Sequence, residues 1–152
     1  MTIEDDIAFL ERVPALSILG REALRILAIG SENRYVHEGV ALFGQGEDAD
    51  SAYVVQEGSF EIVGNGGTIA AVGPGALIGE LALVTEMKRP TSAIAREPSS
   101  VVRITRQLFM KMLESDPTAA ARMRDAMASR LTQTASEFSR VRTILSGGPT
   151  RR

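Results

Sequence analysis

Nine glycines between Gly39 and Gly75 cut this stretch of chain into apolar or alternating runs too short for helices, and that punctuation constrains the fold more than any other feature. The runs are Tyr35-Val36-His37, Ala41-Leu42-Phe43, Tyr53-Val54-Val55, Phe60 to Val63 and Ile69 to Val72, and a further pair, Ser92 to Ala95 and Ser100 to Ile104, flanks Glu97-Pro98. Short strands with turn residues at this density predict an antiparallel sandwich or barrel, because tight turns need positive φ and glycine adopts it without steric cost. Between the two sets of strands stands a different element, Gly79 to Val84, whose helix formers predict one helical turn inserted into the sheet structure.

The flanks change period. From Ile3 to Ile29 apolar residues recur at helical spacing with breaks at Pro14 and Gly20, which predicts two short helices. Gln107 to Glu114 predicts another, and Asp116-Pro117 restarts a helix expected to run to about Leu145, ended by Ser146-Gly147-Gly148-Pro149. On it Leu131, Phe138 and Leu145 lie seven apart with Met127, Thr134 and Val141 alongside, an imperfect heptad seam suited to a second copy of the chain or to the chain's own barrel. The expected organisation is a single domain over residues 1–145 (helices 1–30, strands 34–105, helices 107–145) with a flexible tail at 146–152.

Composition removes several functions. Seventeen basic against nineteen acidic residues leave a net charge of −2, without the basic excess that nucleic-acid binding requires. The chain has no cysteine, which excludes disulfides, thiolate metal sites and cysteine nucleophiles and fits a cytoplasmic protein. His37 is the only histidine, too little for a protein metal cage. Met110, Met112, Met123 and Met127 fall where thioethers fill irregular cores. No apolar run approaches the roughly 20 residues of a membrane span. Paired metal-binding carboxylates, a Ser/His arrangement and a GxxxxGK[ST] loop are all missing, so an enzyme is not expected.

The segment Gly79 to Ala95 carries the chemistry. A helical turn presents unbonded N–H groups and partial positive charge at its start, and Arg89 adds a fork of donors matched to phosphate oxygens. Together they would hold an anion, with Gly79 allowing close backbone approach. A carboxylate at Glu80 repels phosphate unless it has another task, and accepting a hydrogen bond from a sugar hydroxyl supplies one. The pair points to phosphate plus ribose.

These residues resemble the phosphate-binding cassette of the cyclic nucleotide-binding domain family, in which Gly-Glu-Leu-Ala-Leu (here Gly79 to Leu83) is followed after a short gap by arginine (here Arg89). The likeness extends over Gly39 to Gly46, Ser51 to Gly58 and Phe109 to Pro117. It implies an α+β, mainly β fold: an antiparallel β-roll of jelly-roll type with short N-terminal helices, an inserted phosphate-binding turn and a long C-terminal helix. It further implies that Glu80 binds the ribose 2′-hydroxyl, Arg89 the cyclic phosphate, and that the amides of the Gly79, Leu81 and Ala82 stretch complete the cradle. The ligand would be cyclic AMP, with cyclic GMP the alternative, and no cofactor is implied.

One departure stands out. The family usually places a small residue after the arginine, giving a further N–H to phosphate, but this chain has Pro90, which has no N–H. Thr91 or Ser92 would have to compensate. Arg130-Leu131 with Thr134 resembles the nucleotide-facing helix of catabolite activators, implying that Thr134 reaches the base. The expected function is a cytoplasmic sensor acting on an unknown downstream protein, with no direct DNA or membrane contact and a possible homodimer through the last helix. The alternatives are a transcriptional regulator whose DNA-binding part lies elsewhere, and a scaffold that dimerises without nucleotide.

Overall fold

In a computed structural model, which describes residues 2–129, the strands form two four-stranded antiparallel sheets and a two-stranded ribbon. The elements are α1 (Ile3–Glu11), α2 (Pro14–Ser17), α3 (Arg21–Gly30), β1 (Glu32–Val36), β2 (Ala41–Phe43), β3 (Asp48–Ala49), β4 (Ser51–Glu57), β5 (Phe60–Gly64), β6 (Gly67–Val72), β7 (Leu77–Ile78), a 3-10 turn (Glu80–Leu83), β8 (Met87–Lys88), β9 (Ser92–Ala95), β10 (Ser99–Thr105) and α4 (Arg106–Ser115). A further helix, α5, opens at 117 and is described to 129. The first sheet runs β1-β10-β4-β7, the second β2-β9-β5-β6, and β3 pairs with β8.

Strand β4 shows why the layers stack as they do. Its residues are buried from Ser51 to Val55, so it reads as a continuous apolar run because both of its faces are covered. Ala52 and Val54 point to the helices, joining Leu10, Leu24, Leu27, Leu83, Phe109 and Met112 in one core. Tyr53 and Val55 point the other way, joining Phe43, Phe60, Ile78, Ala93 and Val101 between the sheets. The architecture is helices, first sheet, second sheet, and the roll interior lies between the two sheets.

The helices are held by local chemistry as well as burial. Thr2 and Asp5 form a capping box on α1, and the Thr105 hydroxyl accepts from the Leu108 N–H to cap α4. The N-terminal segment contains three helices where periodicity predicts two: Pro14 begins a turn of its own at a first-turn position instead of merely ending α1. The expected turn at Gly79 to Val84 is present, in tighter 3-10 form. Strands β3, β7 and β8, each two residues long, are additions that periodicity did not predict. No helix among the described residues is long and apolar enough to cross a membrane, and none of their His, Asp and Glu side chains cluster as a metal site would require. The heptad positions beyond Met127, Thr134 and the tail lie outside the described residues.

Candidate functional site

The site begins where β7 ends. Gly79 caps the 3-10 turn with φ 78°, in the left-handed region. A Cβ built there would lie 2.5 Å from Arg89 Nη1 and 3.6 Å from the Ser51 carbonyl oxygen. Glycine is thus required both for the backbone angle and for the space. The turn is fastened by its far end, since Ala82 and Leu83 are buried, whereas Leu81 is 60% exposed. Its internal hydrogen bonding starts with the Ala82 N–H, which donates to the Gly79 carbonyl at 3.0 Å. The Ala82 amide therefore closes the turn.

Arg89 follows β8 and is only 4% exposed. Its backbone is stitched to the loop before β3: the Arg89 N–H donates to the Glu47 carbonyl at 2.7 Å and its own carbonyl accepts from the Gly46 N–H at 2.8 Å. The side chain crosses into the roll, where Nη2 donates to the Ser51 carbonyl at 2.8 Å. Its Cζ lies 4.1 Å from the centre of the Phe43 ring and 5.7 Å from that of Tyr53, two rings that stack on each other at 6.0 Å. Such cation–π contacts are favourable, but they replace only part of the lost hydration.

Among the described residues, Arg89 Nε meets no acceptor and no carboxylate forms an ion pair with the guanidinium. Burial pushes its pKa below the ordinary arginine value, while Tyr53, Asp50 and Glu47 oppose the shift. Arginine keeps its proton even so. A buried cation held by one carbonyl and an aromatic face is a group poised for an anion.

A cavity of about 340 Å³ opens beside it, within the range of small-molecule sites. Gly79, Glu80, Leu81, Arg89, Pro90 and Thr91 all line it, so six sequence-predicted positions converge on one space. Ala82 is buried behind the wall, and Thr134 lies outside the described residues. The Ser92 hydroxyl accepts from the Gln45 N–H at 2.8 Å, which engages it with the neighbouring loop and leaves Thr91 as the hydroxyl-bearing side chain on the cavity wall.

The remaining lining is apolar: Phe43, Ile62, Val72, Leu77, Ile78 and Met87. The sequence pattern did not place Phe43 or Ser51 in the site, because strand alternation marks an inward face but not the group that it meets. A second, mostly apolar cavity of about 300 Å³ lies between the turn, α2, α4 and α5, and Leu77, Glu80 and Leu81 line both.

The sequence from 33 to 116, more than half of the chain, matches the cyclic nucleotide-binding domain. This chain belongs to that family. The cyclic nucleotide-binding domain is a ligand-binding module, non-enzymatic in kinase regulatory subunits and catabolite activators. Over 125 residues the chain is 36% identical to an uncharacterised NTE family protein of Mycobacterium bovis, covering 82% of this chain and 21% of that protein. It is 31% identical over 120 residues to the cAMP-dependent protein kinase regulatory subunit of Yarrowia lipolytica, covering 72% of this chain and 32% of the relative. The N-terminal domain of a Streptomyces coelicolor transcriptional regulator superposes with a TM-score of 0.78 at 27% identity, over 86% of this chain and 94% of that structure. This chain thus spans a third or less of the two curated relatives named here.

Proposed function

We propose that this cyclic nucleotide-binding domain is a sensor for cyclic AMP, and that the cavity beside Arg89 is its ligand site. The observation that carries the reading is the buried Arg89 guanidinium, aimed along the Phe43 ring into a cavity that Glu80 also lines. A cyclic phosphate offers oxygens to the guanidinium, whose donors are incompletely used: its buried Nε–H has no acceptor among the described residues. Glu80 accepts from the ribose hydroxyl, so the phosphosugar is gripped by opposite charges nine positions apart in the chain. Gly79 permits the approach, Leu81 and Thr91 flank the sugar phosphate, and Thr134 is assigned the contact with the base.

Cyclic AMP is preferred because the Yarrowia relative is a cAMP-dependent regulatory subunit and this chain is 31% identical to it. Occupancy is passed on through packing: Leu83 of the turn shares a core with Phe109 and Met112 of α4 and Met123 of α5. A ligand that binds one arrangement of these helices better than another shifts the population toward it. The helices would act on a downstream protein, with the heptad seam as a route to dimerisation and the cytoplasm as the setting. Residues 1–145 are assigned to this one unit.

Calorimetric titration of the wild type and Arg89→Ala with cyclic AMP and cyclic GMP tests the reading. Binding by the wild type, stronger for cyclic AMP and lost in the variant, is expected. No heat with either nucleotide refutes it.

A further inference from the structure

Helix α4 starts against its own electrostatic preference. Arg106 occupies the first helical position, where the positive end of the helix dipole disfavours a cation, and no acidic residue stands in that first turn. A residue that breaks a local rule is held there by something else. Here the tertiary contacts identify it.

The Arg106 Nε–H donates to the Ala82 carbonyl at 2.8 Å, and Nη2 donates to the Ala49 carbonyl. The backbone N–H of the same residue donates to the Asp50 carbonyl at 2.8 Å. The next carbonyl along, that of Ser51, is the one that accepts from Arg89. Three consecutive carbonyls at the β3–β4 junction, Ala49, Asp50 and Ser51, are thus taken by Arg106 and Arg89 in succession. The junction is further pinned by Arg103, whose Nη2 lies 3.2 and 3.3 Å from the two Asp50 carboxylate oxygens.

The same frame holds both ends of the 3-10 turn. At its start, Gly79 lies against Ser51 and Arg89, and at its far end the Ala82 carbonyl is held by Arg106. Guanidinium geometry suits this task, because its donors diverge in one rigid plane and reach two carbonyls on different elements. A lysine has one nitrogen to offer.

We propose that Arg106 is a positioning residue for the candidate site: it locks the 3-10 turn and the Ala49–Ser51 junction into one frame and makes α4 the element that senses any shift of either. The effect on ligand rests on the reading of the cavity as a nucleotide site, whereas the effect on the turn does not. Residues that orient a binding group from outside the pocket commonly change affinity by roughly ten- to a hundredfold.

The test is amide hydrogen exchange on the ligand-free protein, comparing wild type, Arg106→Ala and Arg106→Lys, followed by cyclic AMP titration of all three. The amides of Ala82, Val84 and Thr85, which donate within the turn, are the reporters. In Arg106→Ala they are expected to exchange about tenfold faster or more while β5 and β9 keep their wild-type rates, with Arg106→Lys in between. Dissociation constants should rise in the same order. Turn amides at wild-type rates in a folded variant overturn the proposal, as does a uniform acceleration of all amides, which marks a merely global role. If Arg106→Ala does not fold, Arg106→Lys decides by the same comparison. If the wild type takes no nucleotide, the functional reading fails but the exchange rates still decide the role of Arg106.

Discussion

Replacing Gly79 with alanine separates two costs that the structure places on one atom. The first is conformational: φ is 78°, and a side chain in the left-handed region costs about 1–2 kcal/mol. The second is spatial, since the new Cβ would stand 2.5 Å from Arg89 Nη1, while the Ser51 carbonyl oxygen at 3.6 Å leaves ordinary contact distance. The guanidinium is the end of a flexible side chain and moves first, which breaks the 2.8 Å bond to Ser51 and swings the cation off its line into the cavity.

Stability of Gly79→Ala should therefore fall by at least the backbone cost of about 1–2 kcal/mol in chemical denaturation, with the broken Arg89–Ser51 bond adding to it. Affinity for cyclic AMP should fall further, roughly ten- to a hundredfold, because a charge-assisted hydrogen bond of about 1.5–3 kcal/mol is misaligned. Calorimetry and a denaturant titration on the same preparation read the two numbers. Unchanged affinity alongside reduced stability would show that Arg89 does not meet the ligand from where the structure puts it.

Other variants probe the remaining parts. Pro90→Ala restores an N–H on the cavity rim and should tighten cyclic AMP binding by up to about tenfold, measured by calorimetry; no gain means that the amide faces no phosphate. Glu80→Gln should weaken binding of cyclic AMP but not of its 2′-deoxy analogue, and equal losses for both ligands would contradict the ribose assignment. Burial alone would raise the Asp50 carboxyl, but its polar surroundings, with the Arg103 guanidinium at 3.2 and 3.3 Å from its two oxygens, outweigh it and hold the group below the usual carboxylate value. Its stabilising effect is therefore complete at neutral pH and lost as pH falls below about 4. Asp50→Asn should be less stable at pH 7 and show a shallower acid decline in urea midpoints, and parallel profiles would refute this.

What the sequence discloses depends on how local the physics is. Gly79, Glu80 and Arg89 were legible because one short segment carries the charge pattern, and the structure brings those positions to one cavity. The long strands were legible because alternation and glycine turns repeat several times, whereas β3, β7 and β8 are two-residue pairings fixed by the partner strand. Pro14 was recognised as a break, but whether a proline ends one helix or opens another is decided by what the next turn buries, here Leu16.

Phe43 was visible only as an apolar strand residue. Its place beneath Arg89 depends on β2 and β4 facing each other across the roll, a relation no local pattern records. Arg106 was hidden for a sharper reason: its carbonyl partners are 24 and 57 residues away, and helix rules alone argue against a cation where it stands.

A crystal structure grown with saturating cyclic AMP would show where the nucleotide sits. The cyclic phosphate is expected against the Arg89 guanidinium and the ribose hydroxyl against Glu80, with the base extending over the apolar wall of the roll. Nucleotide bound elsewhere, or a cavity left empty with Arg89 still seated on Ser51 and Phe43, would contradict this placement.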